Sequence, residues 1–239
     1  MKPSSITYRI LGAAFVLQFV TSLASGLTVK LGLAVEGDIH QTMLNIAAQP
    51  GLLQASILGE AITAIGITFL GVMLFVTLRR VSEAAALVGM LLYVLEAALL
   101  AVSRMASYAL LEISQQYAAG GFPAGLLPAG SLAFAAANFG YQLAMLFFCS
   151  GALILYTLLD RARIVPRWLS LWGLVAVLPC LVGTLAQFAG VSLPFAIYLP
   201  YVPFECAIGI WLLVMGASET AQAPATAPLA GQSLEVVKC

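Results

Sequence analysis

Six stretches of this chain are apolar for long enough to cross a lipid bilayer: residues 8–29, 52–78, 84–111, 130–158, 168–189 and 197–216. A spanning helix needs about 20 mainly apolar residues. Hydrocarbon offers no partner to a stray peptide group, so each run must satisfy its own backbone, as a helix does. The expected fold class is all-α: a polytopic membrane helix bundle with six transmembrane helices. Composition agrees. Of 239 residues, 62% are hydrophobic and 8% charged, against about a quarter charged in soluble domains. Lys2 and Arg9 precede the first run as in a signal peptide, but the run outlasts a signal core and is read as a retained span.

The basic residues set an orientation. Lys2, Arg9, Arg79, Arg80, Arg161, Arg163, Arg167 and Lys238 fall on one side; in the opposite connections there is only Lys30, since Arg104 lies within a run. Positive residues mark the cytoplasmic side, so both termini are expected there. The connections around residues 36–49, 112–129 and 190–194 then face outward. In the first of them Asp38 is a cap candidate, followed at helical spacing by Ile39, Met43, Leu44, Ala47 and Ala48. That pattern predicts a short amphipathic outer helix, which Pro50-Gly51 turns into the second span. Gly120-Gly121-Phe122-Pro123-Ala124-Gly125 reads as a loose loop, and Trp168 and Trp211 as anchors at the membrane surface. The expected division is a transmembrane domain over residues 1–218 and a disordered cytoplasmic tail over 219–239, where small residues and Pro224 and Pro228 replace the apolar runs.

Several chemistries find no support. Formal net charge is zero, so no nucleic-acid partner is indicated. Cys149, Cys180, Cys206 and Cys239 lack the paired spacing of a metal or redox site, and Cys239 does not fit a prenylation box. His40 is the single histidine, without ligand spacing to any acid, so no metal is expected, nor any other cofactor. A retinal Schiff base would need a mid-helix Lys, and there is none.

What stands out is the set of polar residues inside the runs. Glu60, Glu96, Glu205 and Arg104 are at membrane depth, where an isolated charge costs about 2.5–3.5 kcal/mol on insertion scales. At about 1.5 Å per residue, Glu60, Arg104 and Glu205 lie some 10–12 Å below the outer ends of their helices. Glu96 lies about 12 Å deeper than Arg104, too far for a direct pair. Asn138 and Gln142 enter from the outer end of the fourth run, and Gln18 of the first reaches the midplane. Shared depth points to an outward-opening polar cavity, with His40 near its mouth. The plainer reading is structural: one Glu–Arg pair and interhelical amide bonds holding the bundle together. Three acids face one guanidinium, however. Arg104 is expected to be neutralised by Glu60 or Glu205, leaving Glu96 as a proton carrier or neutral donor.

The chain resembles a bacterial family of six-helix integral membrane proteins known as a domain of unknown function. The resemblance rests chiefly on Ile164-Val165-Pro166-Arg167-Trp168-Leu169-Ser170-Leu171-Trp172-Gly173-Leu174. It extends to Gly59-Glu60-Ala61-Ile62, Leu95-Glu96-Ala97, residues 110–117, Leu199-Pro200, Phe204-Glu205 and Trp211-Leu212-Leu213-Val214-Met215-Gly216. It departs at Tyr93, where similar proteins often carry an Arg three residues before the Glu. The resemblance implies a six-helix bundle in the bacterial plasma (inner) membrane and implies no activity.

Three functions remain open on the sequence. The favoured one is binding or transport of a small cationic or amphipathic ligand in the outward-facing cavity, with Glu60, Glu96, Arg104, Asn138, Gln142, Glu205 and His40 as ligand-binding residues. The others are an intramembrane enzyme acting on a lipid or quinone through a Glu acid/base, and a membrane sensor or assembly partner. Membrane lipids are the one certain class of neighbour for such a chain, and the oligomeric state is open.

Overall fold

The structure is a computed structural model and describes residues 5–191, 193 and 195–214. The expected tail over residues 219–239 lies outside the described residues. Among the described residues seven α-helices follow in order: α1 (Ser5–Gly32), α2 (Ile39–Ala48), α3 (Pro50–Leu78), α4 (Glu83–Ala119), α5 (Leu127–Ala162), α6 (Arg167–Phe188) and α7 (Val202–Val214). Short 3-10 turns occupy Ala124–Leu126 and Phe195–Tyr198. Among the described residues six helical segments are long and apolar enough to cross a membrane, and no strand occurs. Ile65, Met105 and Leu132 keep 71–72% of their surface exposed. Such side chains on the bundle's outside suit lipid rather than water.

The spanning helices close into a ring. α1 packs on α3 and α7, α3 on α4, α4 on α5, α5 on α6, and α6 on α7 and the Phe195–Tyr198 turn. α4 and α5 share the broadest seam; α6 and α7 the thinnest, and α3 touches α5 only sparsely across the ring. The α1–α7 seam depends on glycine. A methyl group at Gly12 would lie 2.5 Å from the Leu213 amide nitrogen and 2.7 Å from the Gly209 carbonyl oxygen. In lipid, close backbone approach of this kind supplies the packing that holds helices together.

α2 caps one end. The Asp38 side chain accepts from the Gln41 amide at 2.9 Å, as its position predicts. Thr42 accepts from the Val35 amide at 2.9 Å and donates to the Asp38 carbonyl at 2.8 Å, tying the approach loop to the helix. Met43 and Ile46 then pack against Leu33, Leu53, Leu110, Leu111 and Tyr117. At the opposite end Ser82 caps α4, and Asp160 accepts from Ser170 at 3.0 Å and pairs with Arg167 at 3.6 Å. Trp168 stacks on Trp172 and meets Trp211 edge-on.

Two expectations need correction. The loop expected over residues 112–129 is largely helical: α4 runs to Ala119 and α5 starts at Leu127. Its buried stripe continues through Leu110, Leu111, Ser114 and Tyr117, and nothing breaks the helix before Gly120 and Gly121. α4 is 37 residues long, about 55 Å, so its last turns reach past the hydrocarbon and give α2 a surface to pack on. The sixth span, expected as continuous from residue 197, is broken: α7 begins only at Val202, after the Phe195–Tyr198 turn and Pro200. Proline cannot donate within a helix and sets the residue before it to extended backbone. Pro203 falls in the first turn of α7, where its missing donor costs nothing.

Gly12→Val should force α1 from α7 and cost about 1–3 kcal/mol, read as a lowered melting temperature in detergent. Ala13→Val, at an exposed neighbour, should leave melting unchanged.

Candidate functional site

Helical spacing brings the polar residues inward. On α1 the buried stripe is Leu11, Ala14, Phe15 and Gln18; on α3 it is Ser56, Glu60, Thr63 and Ala64; on α4 it is Tyr93, Glu96, Ala97, Leu100 and Ser103. Each acid occupies a position an apolar side chain would fill by default. The deep cluster gathers around Glu205, in the first turn of α7 and 8% exposed. Its Oε1 accepts from Gln18 Nε2 at 3.1 Å and from the Tyr201 hydroxyl at 3.0 Å. The Tyr201 hydroxyl lies 2.7 Å from that of Tyr156, and Tyr93 stands beside Tyr156. Phe148 and Phe204 pack edge-on against Tyr201 and Tyr156. Glu96 lies within electrostatic reach of Glu205, is 7% exposed, and its Oε2 has no hydrogen-bond partner among the described residues. Gln18 Oε1 is likewise unpartnered.

Nearer α2 lies a second set. Glu60 is buried and within electrostatic reach of Arg104. Arg104 donates from Nε and Nη2 to Ser103 Oγ at 3.1 and 3.0 Å, and Ser103 donates to the Leu100 carbonyl at 2.7 Å. Among the described residues no carboxylate lies within 4.0 Å of the guanidinium. Of the two partners expected for Arg104, Glu60 is the one within reach, and Glu205 belongs to the deep cluster. A cavity of about 50 Å³ lies beside α2, with Arg104, Asn138, Ser107 and Thr42 among its lining. It is roomy enough for a few waters.

Tyr141 of α5 connects the two sets. It keeps 44% of its surface exposed, yet Glu60 of α3, Arg104 and Glu96 of α4, and Tyr198 lie within electrostatic reach of its hydroxyl. A side chain addressed by groups from three other elements faces the inside of the ring. Its exposed surface therefore lies toward groups of α3 and α4. Asn138 and Gln142 stand on the same helix beside it, exposed and half-buried respectively. His40 goes elsewhere: its Nδ1 lies 2.7 Å from the Tyr117 hydroxyl, and its ring meets Tyr117 and Phe122 edge-on. It serves the α2–α4 contact and is not gathered with the acids.

Tyr93, Tyr141, Tyr156 and Tyr201 are the residues that reading by charge overlooks. The usable signal was Tyr201, four residues before Glu205 and beside a proline. Among the described residues no group of three or more His, Cys, Asp or Glu side chains is placed to hold a metal.

The family model described as a domain of unknown function, DUF4386, matches residues 10–216, and the chain belongs to that family. No curated protein and no solved structure matches it.

Arg104→Met should destabilise the protein by leaving Glu60 buried beside no cation. Glu60→Gln combined with Arg104→Met should cost less than the sum of the single changes by about 1 kcal/mol. Strict additivity in thermal unfolding would show that the two groups do not interact.

Proposed function

We propose that this member of the domain-of-unknown-function family binds a small organic cation, of amphipathic character, in the crevice between α3, α4 and α5, and carries it across the membrane. One observation carries the reading: Glu96 and Glu205 are buried within reach of each other, with no cation within 4.0 Å of either among the described residues. Two acids held in a low-dielectric interior call for a positive guest, because each unpaired charge there is costly. Tyr141 adds an accessible aromatic ring, and a ring face attracts a cation by about 0.5–2 kcal/mol. Asn138 and Gln142 supply amide contacts beside it, and the Glu60–Arg104 set lies nearer the mouth. The cavity beneath α2 is the waiting space between the mouth and the deep acids.

The basic residues of the connections set the orientation. Both termini lie in the cytoplasm, residues 1–218 form the transmembrane unit in a bacterial plasma membrane, and α2 covers the outward mouth. In a background with the native cysteines replaced, Glu36→Cys should react with a membrane-impermeant maleimide on intact cells, and Val81→Cys only after the cells are broken open. The reverse order would invert the bundle.

Ligand binding is tested by thermal stabilisation. Tetraphenylphosphonium and benzyltrimethylammonium should raise the melting temperature of the purified protein, and an uncharged analogue of the same shape should not. A ligand at a hundred times its Kd adds about 2.7 kcal/mol of stability. Glu96→Gln should weaken the effect at least tenfold in the concentration required. Identical melting of wild type and variant across a broad panel of amines would refute the reading.

A further inference from the structure

We infer that Glu96 and Glu205 form one buried proton-binding site, with the proton on Glu96, Glu205 ionised, and a tyrosine hydroxyl chain running from Glu205 back toward the helix that carries Glu96. The proton itself follows from geometry. Its exchange against a ligand rests on the function proposed above.

Charge comes first. Two buried carboxylates within electrostatic reach of each other resist being ionised together, because like charges oppose each other where water cannot screen them. The described groups facing the pair supply no positive charge. They are Gln18 from α1, Tyr93 from α4, Tyr156 and Cys149 from α5, Cys180 from α6, and Tyr201 at the start of α7. α3 contributes Glu60, whose neighbour is Arg104. One proton must therefore stay on the pair.

Hydrogen bonding decides which acid keeps it. Glu205 Oε1 receives two donors, Gln18 Nε2 and the Tyr201 hydroxyl. It also sits in the first turn of α7, where the helix dipole favours an anion. A hydroxyl has one hydrogen. Because Tyr201 donates to Glu205, Tyr156 must donate to Tyr201 across their 2.7 Å contact. The chain thus points its hydrogens at Glu205. Glu96 has the opposite surroundings: mid-helix, 7% exposed, with Oε2 unpartnered. An ionised carboxylate there would be uncompensated, whereas a protonated one is neutral.

The chain also offers a path. Tyr156 lies beside Tyr93, three residues before Glu96 on α4. A proton taken up at Tyr93 passes from hydroxyl to hydroxyl, each O–H breaking as the next one forms, until Tyr201 gives its own to Glu205 Oε1, and no helix has to move. With a cation arriving at Glu96, its O–H bond breaks, the carboxylate electrons stay on Glu96, and the proton leaves to crevice water. One positive charge enters and one departs, so the site's net charge is unchanged.

Infrared difference spectroscopy on full-length protein in nanodiscs tests the proton directly. At neutral pH, wild type labelled with ¹³C-glutamate should show an isotope-shifted C=O stretch of a protonated carboxyl. The band should vanish in Glu96→Gln and persist in Glu60→Gln. In Glu96→Asp it should lose its glutamate isotope shift, a control that retains a carboxyl should Glu96→Gln fold poorly. Glu96→Gln, which mimics a protonated acid, should melt like wild type; Glu205→Gln should melt lower, because its amide oxygen can accept the same two bonds but lacks the charge that strengthens them. Absence of the band in wild type, or its survival unchanged in Glu96→Asp, overturns the assignment. In weak buffer, tetraphenylphosphonium binding should release about one proton per molecule bound, and binding without release overturns the exchange. The band without any binding would remove the proposed ligand and leave the proton site standing.

Discussion

Hydrocarbon gives a charge no water to lean on, and that constraint sorts the polar side chains of this bundle. On insertion scales an unsupported ion at mid-membrane costs about 2.5–3.5 kcal/mol, so each one needs a partner, a proton or a wet space. Glu60, Glu96 and Glu205, the buried acids of the described spanning helices, meet the demand in three ways. Glu60 has a guanidinium within reach, Glu205 has two donors on one oxygen, and Glu96 has an unpartnered oxygen beside a second acid. The helices could bury these positions with leucine at no penalty. That they carry carboxyls instead sets the two polar sets apart from the apolar packing around them.

The break before α7 gives Glu205 its surroundings. Had the sixth span been one helix from residue 197, Glu205 would lie two turns along it, with neighbouring backbone donors spent on the helix itself. Starting the helix at Val202 places the acid in the first turn, at the end where the helix dipole favours a negative charge. It also places Tyr201 at the break, where its hydroxyl reaches both Glu205 and Tyr156. The tight α1–α7 seam then fixes this end against α1, because Gly12 and Gly209 let the backbones touch, and the same pairing delivers Gln18 to the acid.

How much was legible in the sequence follows from which forces act locally. The spans, the Asp38 cap and the apolar face of α2 depend on periodicity and composition within a few residues, and they can be read directly. The depths of Glu60, Glu96 and Arg104 follow from the helix rise alone. Their partners do not, because depth says nothing about rotation around the ring or about which helices are neighbours. Arg104 could be assigned two acids by depth, and only the helix order separates them. The end of α4 is not marked by composition, because the polar Glu112, Gln115 and Gln116 alternate with Leu111, Ser114 and Tyr117, which carry the buried face onward toward α2. His40 was drawn to the site by its chemistry, although its partner, Tyr117, lies on that same α2–α4 contact.

Tyr93 shows how a departure from a pattern becomes structure. An Arg three residues before Glu96 would stand one helical turn away, within reach of a direct pair. A tyrosine in that place is 2% exposed, and the bundle is shaped around its ring. A methyl group at Gly151 would come within 2.8 Å of the ring, and one at Gly71 within 3.2 Å of its Cβ, so α5 and α3 approach it only because both positions are glycine. Phe148 stacks on the same ring. A long, hydrated cation would not fit between two glycines and a phenyl ring. The packing that admits Tyr93 is therefore the packing that denies Glu96 a nearby counter-charge. The neutrality proposed for Glu96 and the close approach of Gly71 and Gly151 to Tyr93 are consequences of one choice of side chain.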